Sequence, residues 1–71
     1  MITLFYSKQS SINNLQEIFG IPCYIDHDNN LHIMKGEGII VPLDHYVIMF
    51  KSGNILPMTP KDFEEYINIK S

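Results

Sequence analysis

Arginine is missing altogether from these 71 residues, and all five basic residues are lysines. Lys8, Lys35, Lys51, Lys61 and Lys70 are scattered, with no basic run to follow a phosphate backbone. Arginine is the usual bidentate reader of phosphate and guanine, and the formal net charge is −3. Nucleic-acid binding is therefore not expected. Cysteine is almost as scarce: Cys23 stands alone and cannot close an internal disulfide. Secreted domains this small ordinarily carry several bridges, which points to the cytoplasm. No apolar run approaches the roughly 20 residues needed to cross a bilayer. The apolar start, Met1 to Tyr6, is too short for a signal peptide's hydrophobic region and has no basic residue before it. A soluble, intracellular protein is the expectation.

What is present suffices for one domain, residues 1–71. The hydrophobic content of 45% supplies a core, and 18% charged residues is low for a disordered segment, so the chain should fold. At this length only about 60% of the unfolded chain's surface is buried on folding, which keeps the stability margin thin.

Residues 1–6 read as a strand of β-branched and aromatic side chains. A polar turn, Lys8 to Ser11, leads to a helix over 12–19. Ser11 stands at its N-cap, and Ile12, Leu15, Ile18 and Phe19 fall on one face. Gly20 suits the left-handed residue that ends a helix, and Pro22 prevents its continuation. Cys23–Ile25 and Leu31–Met34 form a hairpin around the polar tip Asp26-His27-Asp28-Asn29-Asn30. After the Gly36-Glu37-Gly38 turn comes a short strand, Ile39–Val41. His45–Phe50 is apolar on both faces and so lies centrally in a sheet. Past the turn at 51–54, Ile55–Met58 is a last strand, placed at an edge by Pro57. Thr59, Pro60 and Asp62 have the spacing of an N-cap, first helical residue and capping-box acid, with Met58 and Phe63 as a staple, so a helix follows over 60–67. The fold class is α+β: a small, mainly antiparallel sheet or half-barrel with two short helices. Two such helices are too few to cover the sheet, and the strand at 45–50 is where an apolar face would stay open.

Val41 to Tyr66 resembles the C-terminal half of a small family encoded by phages and prophages. There a strand of the type V-x-x-G-D-Y-I-I is followed by K-G-E, Y-P, K-P and a helix containing F-E. Val41, Tyr46, Val47, Ile48, Gly53, Pro57, Pro60, Phe63 and Glu64 match in register. Upstream, Asn14 to Gly20 is similar to the family's N-L-E-E-I-x-x-F-x-G helix. Leu31-His32-Ile33 with Gly36-Glu37 resembles its L-x-I-x-T-x-x-G-E segment. Asp44-His45 departs from the usual Gly-Asp, and Leu56 from the usual aromatic. The family has no settled biochemical function, so the resemblance implies a phage or prophage origin and a fold, not a mechanism.

The candidate chemistries find little support in spacing. Cys23, His27, Asp28, His32 and His45 are metal-ligand types, yet no C-x-x-C or H-x-x-x-H pair is present. Asp26-x-Asp28-x-Asn30 begins like a calcium loop, but Leu31 replaces the glycine and Lys35 follows where acids are wanted. Cys23 with His27 or His45 would make a thiolate–imidazole pair, but its neighbours Ile21, Tyr24 and Ile25 suit a core thiol. Gly36-Glu37-Gly38 leads into a strand, not into the helix start a phosphate cradle needs. No catalytic, metal or cofactor site is expected.

A binding role remains. The expectation is a non-enzymatic phage or prophage accessory protein that binds and modulates a host protein in the bacterial cytoplasm. Phage proteins of this size commonly counter host defence, so an anti-CRISPR-like inhibitor is the natural form. Asp26, Asp28, Glu37 and Asp44, acidic and in turns, are the expected contact residues. The alternatives are a sponge for a small nucleotide ligand and a homodimer joined through strand edges or the 45–50 face.

Overall fold

The computed structural model describes residues 1–70. Over them the order is β1 (Ile2–Tyr6), α1 (Ile12–Phe19), β2 (Cys23–Ile25), β3 (Leu31–Ile33), β4 (Ile39–Val41), β5 (His45–Met49), β6 (Ile55–Met58) and α2 (Pro60–Lys70). The fold is α+β, as expected, with α2 three residues longer than the capping signals alone mark out. The strands do not form one sheet. They form two three-stranded antiparallel sheets, β1-β5-β6 and β2-β3-β4, with β5 and β3 central. β4 lies against β5 and β6, so the sheets meet along one side like part of a barrel.

The main core fills the space between them. Tyr6 and Val47 from the first sheet meet Cys23, Leu31, Ile33 and Val41 from the second. Leu15 and Phe19 of α1 complete it, with Ile12 and Ile21 packed alongside. The helical spacing of these residues is what sends α1 inward. It ends where Gly20 takes φ 67°, its N–H donating to the Gln16 carbonyl at 2.8 Å. Ser11 occupies the N-cap position without a side-chain capping bond.

A second, smaller cluster lies on the other face of the first sheet. Tyr46 and Ile48 alternate with Val47 and therefore point away from the main core. α2 covers them: Phe63 stacks on Tyr46 with ring centroids 3.9 Å apart, and Phe5 leans on Tyr46 from β1 at 4.9 Å. Ile48 beneath is fully buried. Thr59 caps α2, its Oγ1 accepting the Asp62 N–H at 3.1 Å, so the start of this helix is local and its docking follows from Phe63. This corrects the expectation that strand 45–50 would keep an open apolar face. Both of its faces are covered, and the uncovered face belongs to the other sheet.

Candidate functional site

Three residues form a straight row across the outer face of the second sheet. Each strand there has three residues, and the register pairs Tyr24 with His32 and His32 with Ile40. Cys23, Leu31, Ile33 and Val41, their neighbours in sequence, are buried in the core, so these middle residues point out. Tyr24 and His32 lie flat on each other, centroids 4.4 Å apart and planes 4° from parallel. Tyr24 is 49% exposed and Ile40 is 55% exposed, as is Met34 at the end of β3. Beside the row a hollow of about 190 Å³ is lined by Tyr24, His32, Met34, Glu37 and Ile40, among others, with the backbone of Gly36 and Gly38 as its rim.

The hairpin tip holds this row in place. Asp26 Oδ1 accepts the N–H groups of Asp28 at 2.9 Å and Asn30 at 3.0 Å. Its Oδ2 lies 2.7 Å from His32 Nε2. A carboxylate only accepts, so Nε2 carries the hydrogen and donates it. The bond from His32, then those from the backbone, hold the Asp26 carboxyl down at about 2. Tyr6 ties the tip to the first sheet, its hydroxyl donating to the Asn29 carbonyl at 2.7 Å. Burial, and then the negative charge of Asp26, push that phenol above its ordinary value.

The four acids expected as contact residues are not gathered into one patch. Asp26 is committed to the bonds just described. Asp28 stands exposed in the same tip, at one end of β2 and β3. Glu37 is exposed in the β3–β4 turn, at the opposite end of β3. Asp44 sits between β4 and β5 with φ 61°, its N–H donating to the Tyr6 carbonyl at 2.9 Å. Aspartate is among the few residues other than glycine that tolerate this left-handed turn. Lys35, two residues before Glu37, does not neutralise this rim: its Nζ reaches Gly53, 3.3 Å from where a Cβ on that glycine would stand.

The other candidates fall apart in space. Cys23 faces the core, its Sγ donating to the Ile21 carbonyl at 3.3 Å and its N–H bonded to Gln16 Oε1 at 3.0 Å. Burial pushes its thiol above the ordinary value, and neither His27 nor His45 partners it. His45 Nδ1 donates to the Leu43 carbonyl at 3.1 Å. Among the described residues no three His, Cys, Asp or Glu side chains converge to hold a metal ion, and no helix is long and apolar enough to cross a membrane. The Asp26–His32 pair orients an imidazole, but Cys23, next in sequence to Tyr24, lies on the opposite side of the sheet.

No family model matches the chain, and comparison with curated proteins and with solved structures gives no match either. A functional reading has to come from the arrangement of the residues.

Proposed function

We propose that this chain is a non-enzymatic binding protein that docks the outer face of its second sheet onto a partner protein. The supporting observation is the row Tyr24–His32–Ile40, lying open with Met34 beside it and with Asp28 and Glu37 in the turns at opposite ends of the strands that carry it. Binding surfaces commonly combine an aromatic and methionine-rich centre with a polar rim. The rim here is acidic, and the Lys35 head group lies toward Gly53, so the partner surface is an apolar anchor flanked by basic residues. With the phage-like pattern of Val41 to Tyr66, that partner is a host protein in the bacterial cytoplasm, and inhibition of a host defence system is the form of action.

A second reading has one observation in its favour. The flat Tyr24–His32 pair beside the 190 Å³ hollow would offer a stacking surface to a nucleotide base. The hollow is small next to ligand pockets of about 300–1,000 Å³, and protein binding is the stronger reading.

The deciding experiment compares tagged wild type with Tyr24→Ala/Ile40→Asp and with Ile67→Asp, which changes an exposed apolar residue on α2. Wild type and the α2 variant should capture the same stoichiometric protein from bacterial lysate, and Tyr24→Ala/Ile40→Asp should lose it. Weakening by salt would assign part of the affinity to Asp28 and Glu37. Capture that survives the double substitution would overturn the reading. Native mass spectrometry showing a bound nucleotide, lost with Tyr24→Ala, would move the assignment to the second reading.

A further inference from the structure

The free edge of the first sheet carries an inference of its own, independent of the outer face of the second. Which backbone groups point off that edge follows from one hydrogen bond. Phe50 N–H donates to the Asn54 carbonyl at 2.9 Å, continuing the register that pairs Ile48 with Leu56 and Tyr46 with Met58. Alternate residues of a strand bond to opposite sides. Tyr46 and Ile48 therefore bond toward β6, and His45, Val47 and Met49 bond toward β1. Their partners there are Tyr6, Leu4 and Ile2. The Tyr6 carbonyl agrees, since it also accepts the Asp44 N–H beside β5. The N–H and C=O groups of Thr3 and Phe5 are left facing outward.

Unpaired edges are normally protected. On β6 the outward groups belong to Ile55 and Pro57, and Pro57 has no N–H to offer. β2 and β4 are only three residues long, and β4 lies against β6. β1 has none of these protections. It is five residues long, carries no charge and no proline, and pairs with β5 alone. Met1, Ile2 and Phe5 along it are exposed.

We infer that two copies of this chain join through β1, antiparallel about a twofold axis at Leu4, to make one continuous six-stranded sheet. In that register Thr3 faces Phe5 of the other copy and Phe5 faces its Thr3. All four outward groups on each strand are then bonded in a symmetric, isologous contact. A second copy fits better than a foreign strand because the segment is self-complementary: every side chain from Ile2 to Tyr6 is uncharged, so no like charges meet across the axis. The exposed apolar surface continues beyond the strand. Tyr66 of α2 reaches Met1, its hydroxyl 3.8 Å from the sulfur, which carries the helix's exposed face to the start of β1.

Sedimentation or light scattering of wild type, Thr3→Lys and Thr3→Pro across a concentration series tests this. Wild type should move from 8.2 kDa toward twice that mass as concentration rises. Thr3 is exposed, so Thr3→Lys should fold normally, and as an edge lysine it should weaken association at least about tenfold. Thr3→Pro removes one outward N–H and should do the same. Hydrogen exchange adds the register: the amides of Thr3 and Phe5 should become protected at high concentration, and that of Ile55 should not. Wild type that stays at 8.2 kDa throughout overturns the inference. So does a dimer unchanged by Thr3→Lys, or one that leaves the Thr3 and Phe5 amides unprotected.

Discussion

The two sheets of this molecule are alike in size and opposite in the treatment of their outer faces. The outer face of β1-β5-β6 is a small core of its own: Ile48 is fully buried, and Tyr46 and Phe63 stack above it beneath α2. The corresponding face of β2-β3-β4 has no helix. It presents Tyr24 and Ile40 about half exposed, with His32 between them. The chain directs both of its helices elsewhere, α1 into the main core and α2 onto the first sheet. A domain with a thin stability margin that leaves an aromatic row uncovered forgoes burial it could use. A contact made at that row by another molecule would account for it.

The comparison can be broken most directly with two matched substitutions. Ile48→Ala removes a fully buried side chain from beneath α2 and should cost about 3 kcal/mol. In a domain of this size each kcal/mol moves the melting temperature by about 4–8 °C, so the loss should be plain in a thermal melt. Ile40→Ala, on the outer face of the other sheet, should cost under about 1 kcal/mol. Equal costs would mean that the second face is covered in solution, by another copy or by the rest of the molecule.

Most of the local structure could be read directly. The start and end of α1, the six strands and the cap of α2 follow from turn residues, capping residues and apolar periodicity acting over a few positions. The grouping of the strands could not be read that way. The assignment of β1 to β5 and of β2 to β3 is a long-range choice, made by which faces complete the core around Leu15 and Phe19. Part of strand 45–50 was expected to stay open because two short helices are too few to cover a single sheet; its two apolar faces instead record two cores. The candidate site was legible in principle. The loop at 26–30 sets Tyr24 opposite His32, and the turn at 34–38 sets His32 opposite Ile40. Reading loops for charge drew attention to Asp26, Asp28, Glu37 and Asp44, while the strand centres carried the pattern.

One element is built alike on both sheets, which allows a finer test. In the hairpin at 26–30, Asp26 and Asn30 close the loop and Asn29 N–H returns to the Asp26 carbonyl, with Asn29 at φ 66°. In the hairpin at 50–54, Phe50 and Asn54 close it and Gly53 N–H returns to the Phe50 carbonyl, with Gly53 at φ 93°. Asparagine tolerates the left-handed region that most residues avoid. Gly53→Ala should therefore cost about 1–2 kcal/mol in a denaturant titration, mostly as backbone strain, because the lysine head group it would meet can move aside. Asn29→Gly should change stability by no more than about 0.5 kcal/mol. A larger loss at Asn29 would show that its side chain, and not only its backbone angle, supports the second sheet.

Where the first sheet is braced by a helix, the second is braced by Asp26, and acid should reveal the difference. The bond from His32 and the two backbone N–H groups hold the Asp26 carboxyl down at about 2, below the ordinary value of 3.8. Folding therefore favours the ionised form. Its contribution is present in full above about pH 4 and fades as pH falls toward about 2, where the folded protein takes up the proton. Asp26→Asn keeps an oxygen to accept the backbone N–H groups but cannot titrate. Denaturation of the two proteins at successive pH values should show wild type more stable at pH values above about 4, with the gap narrowing as pH drops through that window. A gap that stays constant down to acid would mean that the charge of Asp26 contributes nothing. The hairpin tip would then be held by geometry alone, and the position of the Tyr24–His32 pair would not depend on its ionisation.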